Sequence, residues 1–139
     1  MLLYPLTVIK LKPKLKIDFN NEIVDNRNQV KYQKQDDYTL FWNRIYYTGN
    51  YKERIKEIKY ILDENFPNPE RKTMDRKNDF EIIIWSRGES IIKVVITTKD
   101  GNEYTKYFSF KFDDELKQAM NNLDKNGIKF VNIEDNDKK

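Results

Sequence analysis

No histidine and no cysteine occurs among the 139 residues, which removes the side chains that most often move protons, hold metals or attack carbonyl groups near neutral pH. Ser-His and Cys-His pairs, thiolate metal sites and disulfides are excluded with them. Adjacent carboxylates stand at Asp36-Asp37 and Asp113-Asp114. Neighbours on a strand face opposite ways, however, and ordinary turn and helix-start roles account for both pairs. There is no EF-hand-like loop, no nucleophile beside a base and no phosphate-cradling glycine loop. The expectation is a protein that is not an enzyme and carries no metal and no cofactor. What the residue types do support is recognition. Phe66 sits on Phe-Pro-Asn-Pro, and Arg87 sits in Ser86-Arg87-Gly88-Glu89-Ser90. A guanidinium stacks on aromatic faces and forks to carboxylate or phosphate, so the two loops could form an aromatic-plus-guanidinium clamp. Two plainer roles stay open: Phe66 as a plug under its own loop, and Arg87 in a surface salt bridge with Asp63 or Glu89.

These loops need strands to hold them. Ile58, Tyr60 and Leu62 alternate with Lys59, Ile61 and Asp63, the period of a strand with one buried face. Each proline then fixes its own φ and pushes the preceding residue, Phe66 or Asn68, towards the extended region. Tyr38 to Tyr47 is rich in strand-favouring residues and ends at the turn Thr48-Gly49-Asn50. Met74 to Asp79 reads as polar turn, and Phe80 to Trp85 as a strand buried on both faces. Ile91 to Thr98 and the returning run Tyr104, Phe108, Phe110 and Phe112 flank the hairpin signal Lys99-Asp100-Gly101-Asn102.

At the ends the pattern is weaker. Leu6 to Leu11 and Lys14 to Phe19 suggest strands parted by Pro13, followed by an Asn- and Asp-rich loop from Asn20 to Asn28. Val30 to Gln33 is a further strand. Asp113-Asp114-Glu115 opens a helix whose apolar stripe is Leu116, Ala119, Met120 and Leu123, with Gly127 as its C-cap. Ile128 to Ile133 adds a short strand, and the last residues fray. Short strands at regular spacing make the chain all-β, a sandwich with one C-terminal helix.

The length suits one compact domain that buries roughly two-thirds of its unfolded surface. Hydrophobic residues make up 38% of the chain and aromatics 14%, enough for a core despite the polar average. The net charge of +3, from 26 basic and 23 acidic residues, is a weak and mixed field. No basic stripe interleaves with the aromatics, which argues against nucleic acid as a partner. The apolar N-terminal run is too short for a membrane span and lacks the order of a signal peptide. A cytoplasmic protein with no membrane contact is the expectation.

Phe-Pro-Asn-Pro-Glu-Arg after an alternating strand, followed by a further strand and a Gly-Glu loop before two hairpin strands, resembles a YEATS domain of the prokaryotic branch. The likeness runs through Trp42 to Gly49, Ile55 to Arg71, Asp75 to Phe80, Arg87 to Glu89 and Ile91 to Phe112. It divides the chain into an N-terminal extension (1–27), a YEATS-like sandwich (28–112) and a helix with tail (113–139). The resemblance implies an immunoglobulin-like sandwich with a ligand surface built from loops at one end. Eukaryotic relatives read acylated lysine by sliding the flat acyl amide between aromatic rings, a slot suited to a side chain that has lost its charge. Phe66 matches one wall of that slot. The aromatic of the other wall falls on Arg87, with Gly88 and Glu89 at the next two positions and Ser90 where a further aromatic stands. The His and Ser of the first loop fall on Asp63 and Asn65. Trp85, two residues before Arg87, could substitute for the missing ring.

The resemblance thus implies a non-enzymatic recognition module for a protein or a modified peptide, with a small anionic ligand as a second possibility. Prokaryotic YEATS-like domains typically occur beside effector or signalling domains, including defence-type ones. With no such domain attached, action in trans on a partner of that kind is the expectation. The competing reading is an adaptor without a small-ligand site, which would bind its partner through a strand edge or a patch of Tyr46, Tyr47 and Tyr51.

Overall fold

The computed structural model describes residues 13–121 and 127–133. Nine strands and one helix lie within them: β1 (Phe19–Glu22), β2 (Gln29–Lys34), β3 (Thr39–Tyr47), β4 (Ile55–Ile61), β5 (Glu70–Thr73), β6 (Ile82–Ser86), β7 (Ser90–Thr98), β8 (Glu103–Phe110), α1 (Asp113–Asn121) and β9 (Lys129–Asn132). They form two sheets over a shared core, an immunoglobulin-like β-sandwich with one helix after the last hairpin. One sheet runs β5-β4-β7-β8 and is antiparallel throughout. The other is built around β3, which pairs with β6 along one edge and with β1 and β2 along its length, while β9 adds to β2 in parallel.

The period-two pattern explains the core. Ile58, Tyr60 and Leu62 point inward from β4 and its continuation, and Ile92, Val94 and Ile96 do so from β7. Ile45 and Tyr47 on β3 with Ile82 and Ile84 on β6 meet them from the facing sheet. Phe19 touches both sheets, edge-on to Tyr47 at 5.5 Å and to Tyr60 at 5.7 Å between ring centroids. The hairpin after β7 turns where expected, with Gly101 at φ +90° and its N–H donating to the Thr98 carbonyl.

Several expectations change. Residues 20–22 are strand rather than loop, because Phe19 to Glu22 pair in register with Tyr47 to Arg44, a cross-strand contact that outweighs the turn preference of Asn20 and Asn21. Lys14 to Asp18 form no strand. The strand expected from Phe80 starts at Ile82, since Asp79 and Phe80 both take positive φ and turn the chain into it. That strand is not buried on both faces: Ile82, Ile84 and Ser86 are buried, whereas Ile83 and Trp85 are half-buried. Glu70 to Thr73 form an edge strand that their polar composition conceals. In α1, Ala119 is buried but Met120 is 57% exposed. Glu115 takes the inward position instead, accepting a hydrogen bond from the Ile23 N–H at 3.1 Å, and burial raises its pKa. The strand read at Leu6 to Leu11, Leu123 and the last residues lie outside the described residues.

Gly49 has no freedom to carry a side chain, for a reason of space rather than φ. A Cβ there would lie 2.1 Å from the Lys16 carbonyl oxygen and 2.4 Å from the Tyr47 hydroxyl. That hydroxyl donates towards the carbonyls of Asn50 (2.8 Å) and Lys16 (3.2 Å), and burial pushes its pKa up to about 12. Gly49→Ala is therefore expected to lower stability by roughly 1–3 kcal/mol, the usual cost of overpacking. Urea unfolding reads this directly, and an unchanged midpoint would show that the 13–18 segment does not press on the turn.

Candidate functional site

The two strands that deliver Phe66 are fixed to the opposite sheet by one cross-strand pair. Tyr60 on β4 and Arg71 on β5 stand directly opposite each other, so their side chains leave the same face. The Tyr60 hydroxyl donates to the Phe80 carbonyl at 2.6 Å, and Arg71 Nη1 donates to the Ile83 carbonyl at 2.8 Å. Both acceptors belong to the chain entering and forming β6, in the other sheet. Burial raises the Tyr60 phenol far above its usual pKa, so it remains a donor at every relevant pH.

Arg71 also holds the loop itself. Its Nε donates to the Asn68 carbonyl at 3.0 Å and its Nη2 to the Pro67 carbonyl at 2.8 Å. Three neutral carbonyls meet the guanidinium, and burial draws its pKa below the ordinary value. The Leu62 N–H donates to the Pro69 carbonyl at 2.7 Å and closes the loop at its base. At its start, Asp63 accepts from the Phe66 N–H through its carbonyl and from the Asn65 N–H through its carboxylate, both at 3.0 Å. Asn68 is not extended as its proline neighbour suggested; φ is +50° there, a conformation Asn tolerates better than most residues and that Arg71 secures. The loop is thus held by a fork of hydrogen bonds as well as by its prolines. The Phe66 ring is half-buried, resting against the core with one part exposed.

The second loop follows β6. Ser86 is buried, and its hydroxyl lies 2.8 Å from the Gly88 carbonyl and 3.3 Å from the Gly88 N–H, which folds the loop back on itself. Trp85 stands opposite Trp42 and is half-buried. Arg87 is exposed and forms no ion pair with Asp63 or Glu89 among the described residues. Its guanidinium carbon lies 5.0 Å from the centre of the Tyr38 ring, on the turn between β2 and β3.

All seven residues singled out in the sequence, Asp63, Asn65, Phe66, Trp85, Arg87, Gly88 and Glu89, line one open cleft of 1250 Å³ between these loops. Tyr38 and Arg71 line it too and were missed. Arg71 carried a signal, as the last residue of the Phe-Pro-Asn-Pro-Glu-Arg run. Tyr38 carried none, because its meeting with Arg87 depends on how the sheets stack. The Tyr46, Tyr47 and Tyr51 patch does not form. Tyr47 is a core residue at 2% exposure, while Arg44 and Arg54 cover the rings of Tyr46 and Tyr51 at 3.9 and 5.1 Å. Among the described residues no cluster of carboxylates could hold a metal ion, and no helix is long and apolar enough to cross a membrane.

An immunoglobulin-like sandwich with a loop-built cleft at one pole is the class these features define. A model of the prokaryotic YEATS domain matches residues 44–111, so this stretch of the chain is similar to that domain. Among solved structures, the Yaf9 YEATS domain bound to H3K27ac is similar at 15% identity and a TM-score of 0.47, over 73% of this chain and 78% of that one. The Yaf9 YEATS domain recognizing an H3K122suc peptide is similar at 15% identity and a TM-score of 0.41, over 81% and 99%. No curated protein matches significantly.

Arg71→Lys tests the loop clamp. A single ammonium cannot fork to carbonyls on both sides of the loop, so global stability should fall by about 1–3 kcal/mol. The Leu62 and Phe66 amides should lose hydrogen-exchange protection beyond that global change. Protection that moves only in step with overall stability would show that Arg71 does not govern the loop.

Proposed function

We propose that the chain is a non-enzymatic recognition module that binds a protein partner through a peptide with a modified side chain, seated in the cleft between the Phe66 and Arg87 loops. The observation that carries this reading is the convergence of the Phe66 ring, the Trp85 face and the Arg87 loop on one open cleft, within a segment that matches the prokaryotic YEATS domain. The half-exposed Phe66 ring supplies an apolar wall for a planar or aliphatic group, and Trp85 and Ile83 supply a second apolar surface beside it. Because hydrogen bonds already fix the Phe66 loop, little conformational freedom is lost when a ligand enters. Polar rim groups on Asp63, Asn65 and Glu89 suit a peptide backbone and its basic flanks. The partner proposed is of the signalling or defence type that the resemblance implies.

Fluorescence polarisation with lysine peptides bearing acyl groups of increasing length tests the reading. Phe66→Ala should weaken the tightest of them by about tenfold or more, the scale of an aromatic anchor at a binding surface. Because the Phe66 ring also packs against the core, thermal melting of Phe66→Ala is the folding control. Equal binding by the parent and Phe66→Ala would move recognition elsewhere on the molecule.

A further inference from the structure

We infer that Tyr38 and Arg87 form a carboxylate seat at the mouth of the cleft, so that the ligand is an apolar stem ending in a carboxylate. This deepens the reading above and rests on it.

The basis is how this protein uses its guanidiniums. Arg44 is met by Glu81, Glu22 and Asp79, and Arg71 by three backbone carbonyls. Arg87 differs from both. Among the described residues its guanidinium meets the Tyr38 ring, at 5.0 Å from the ring centre, and donates to no carboxylate or carbonyl. Contact with a ring uses up none of the guanidinium's hydrogen bonds, which leaves its N–H donors available to fork. Two carboxylates share the cleft without pairing to it: Asp63, which accepts from the Asn65 N–H, and the exposed Glu89. They repel an anion from the rest of the rim, which leaves the Arg87 end as the favourable place for one.

Tyr38 is the positioning residue. It is 41% exposed, lies on the turn after β2, and stands outside the segment 44–111 that matches the YEATS model. By holding the guanidinium against a ring it limits the rotamers of a long side chain, so less freedom is lost when a carboxylate binds. The Phe66 and Trp85 surfaces receive the stem, and Arg87 receives its charged end.

Two lysine peptides of one sequence, one succinylated and one butyrylated, isolate the carboxylate because the acyl groups match in carbon count. Free succinate as a third probe separates a small anion from a modified side chain. The succinylated peptide should bind tighter by roughly tenfold or more, the scale of one charge-assisted hydrogen bond. That preference should fall with added salt. Arg87→Gln should abolish the preference while leaving butyrylated binding in place. Tyr38→Ala should reduce it several-fold, and Tyr38→Phe should restore it, since the ring and not the hydroxyl carries the stacking. Equal affinity for the two peptides, or equal loss in Tyr38→Ala and Tyr38→Phe, overturns the seat while the peptide reading stands. Free succinate bound in an Arg87-dependent way with neither peptide bound supports the seat and removes the peptide reading. No binding of any probe overturns both.

Discussion

Two hydrogen bonds from one cross-strand pair set the geometry on which the cleft depends. Tyr60 and Arg71 face each other across β4 and β5 and bond the carbonyls of Phe80 and Ile83 in the opposite sheet. Apolar packing draws two sheets together but is non-directional, and it leaves them some freedom to slide. Directed bonds to particular carbonyls remove that freedom, and in a buried setting their loss leaves acceptors unsatisfied. The loop bearing Phe66 begins directly after β4 and ends at β5. The loop bearing Arg87 begins at the end of β6. The same pair therefore sets the distance between the two walls.

Charge is handled differently at the two ends of β3. At one end Arg44 gathers Glu22, Asp79 and Glu81, with Lys52 also paired to Asp79. These contacts join β1, β3 and the turn before β6, and the basic partners hold the Asp79 carboxyl below its usual pKa. At the other end the Arg87 guanidinium lies over the Tyr38 ring and, among the described residues, pairs with no acid. A neutralised network makes a structural joint, whereas a cation resting on a ring keeps its hydrogen-bond donors available. Two arginines of one chain thus do different work because of what surrounds them.

Much of this was legible in the residues. Alternation identified β4, a β-branched run β7 and aromatics on one face β8, and the glycine hairpin and the acid-led helix start fell where the chain forms them. Failures came where local preference and tertiary contact disagree. Asn20 and Asn21 favour turns, yet they pair with Tyr46 and Ile45 because Phe19 and Ile23 on either side are drawn into the core. Glu70 to Thr73 show no apolar period because they form an edge strand with one flank open. Asn68 reads as extended by its proline neighbour and is turned to positive φ by the closure of a loop that Arg71 holds.

By itself the order of residue types determined that this chain forms a sandwich, carries no cysteine or histidine chemistry and presents Phe66 and Arg87 on two constrained loops. Period, proline and glycine act over a few neighbours, so a linear reading can follow them. Only the tertiary structure decided that Arg71 sews the sheets, that Tyr47 belongs to the core and that Tyr38 is the partner of Arg87. Each of those facts joins residues far apart in the chain, and their meeting depends on how two twisted sheets stack, which no local pattern encodes.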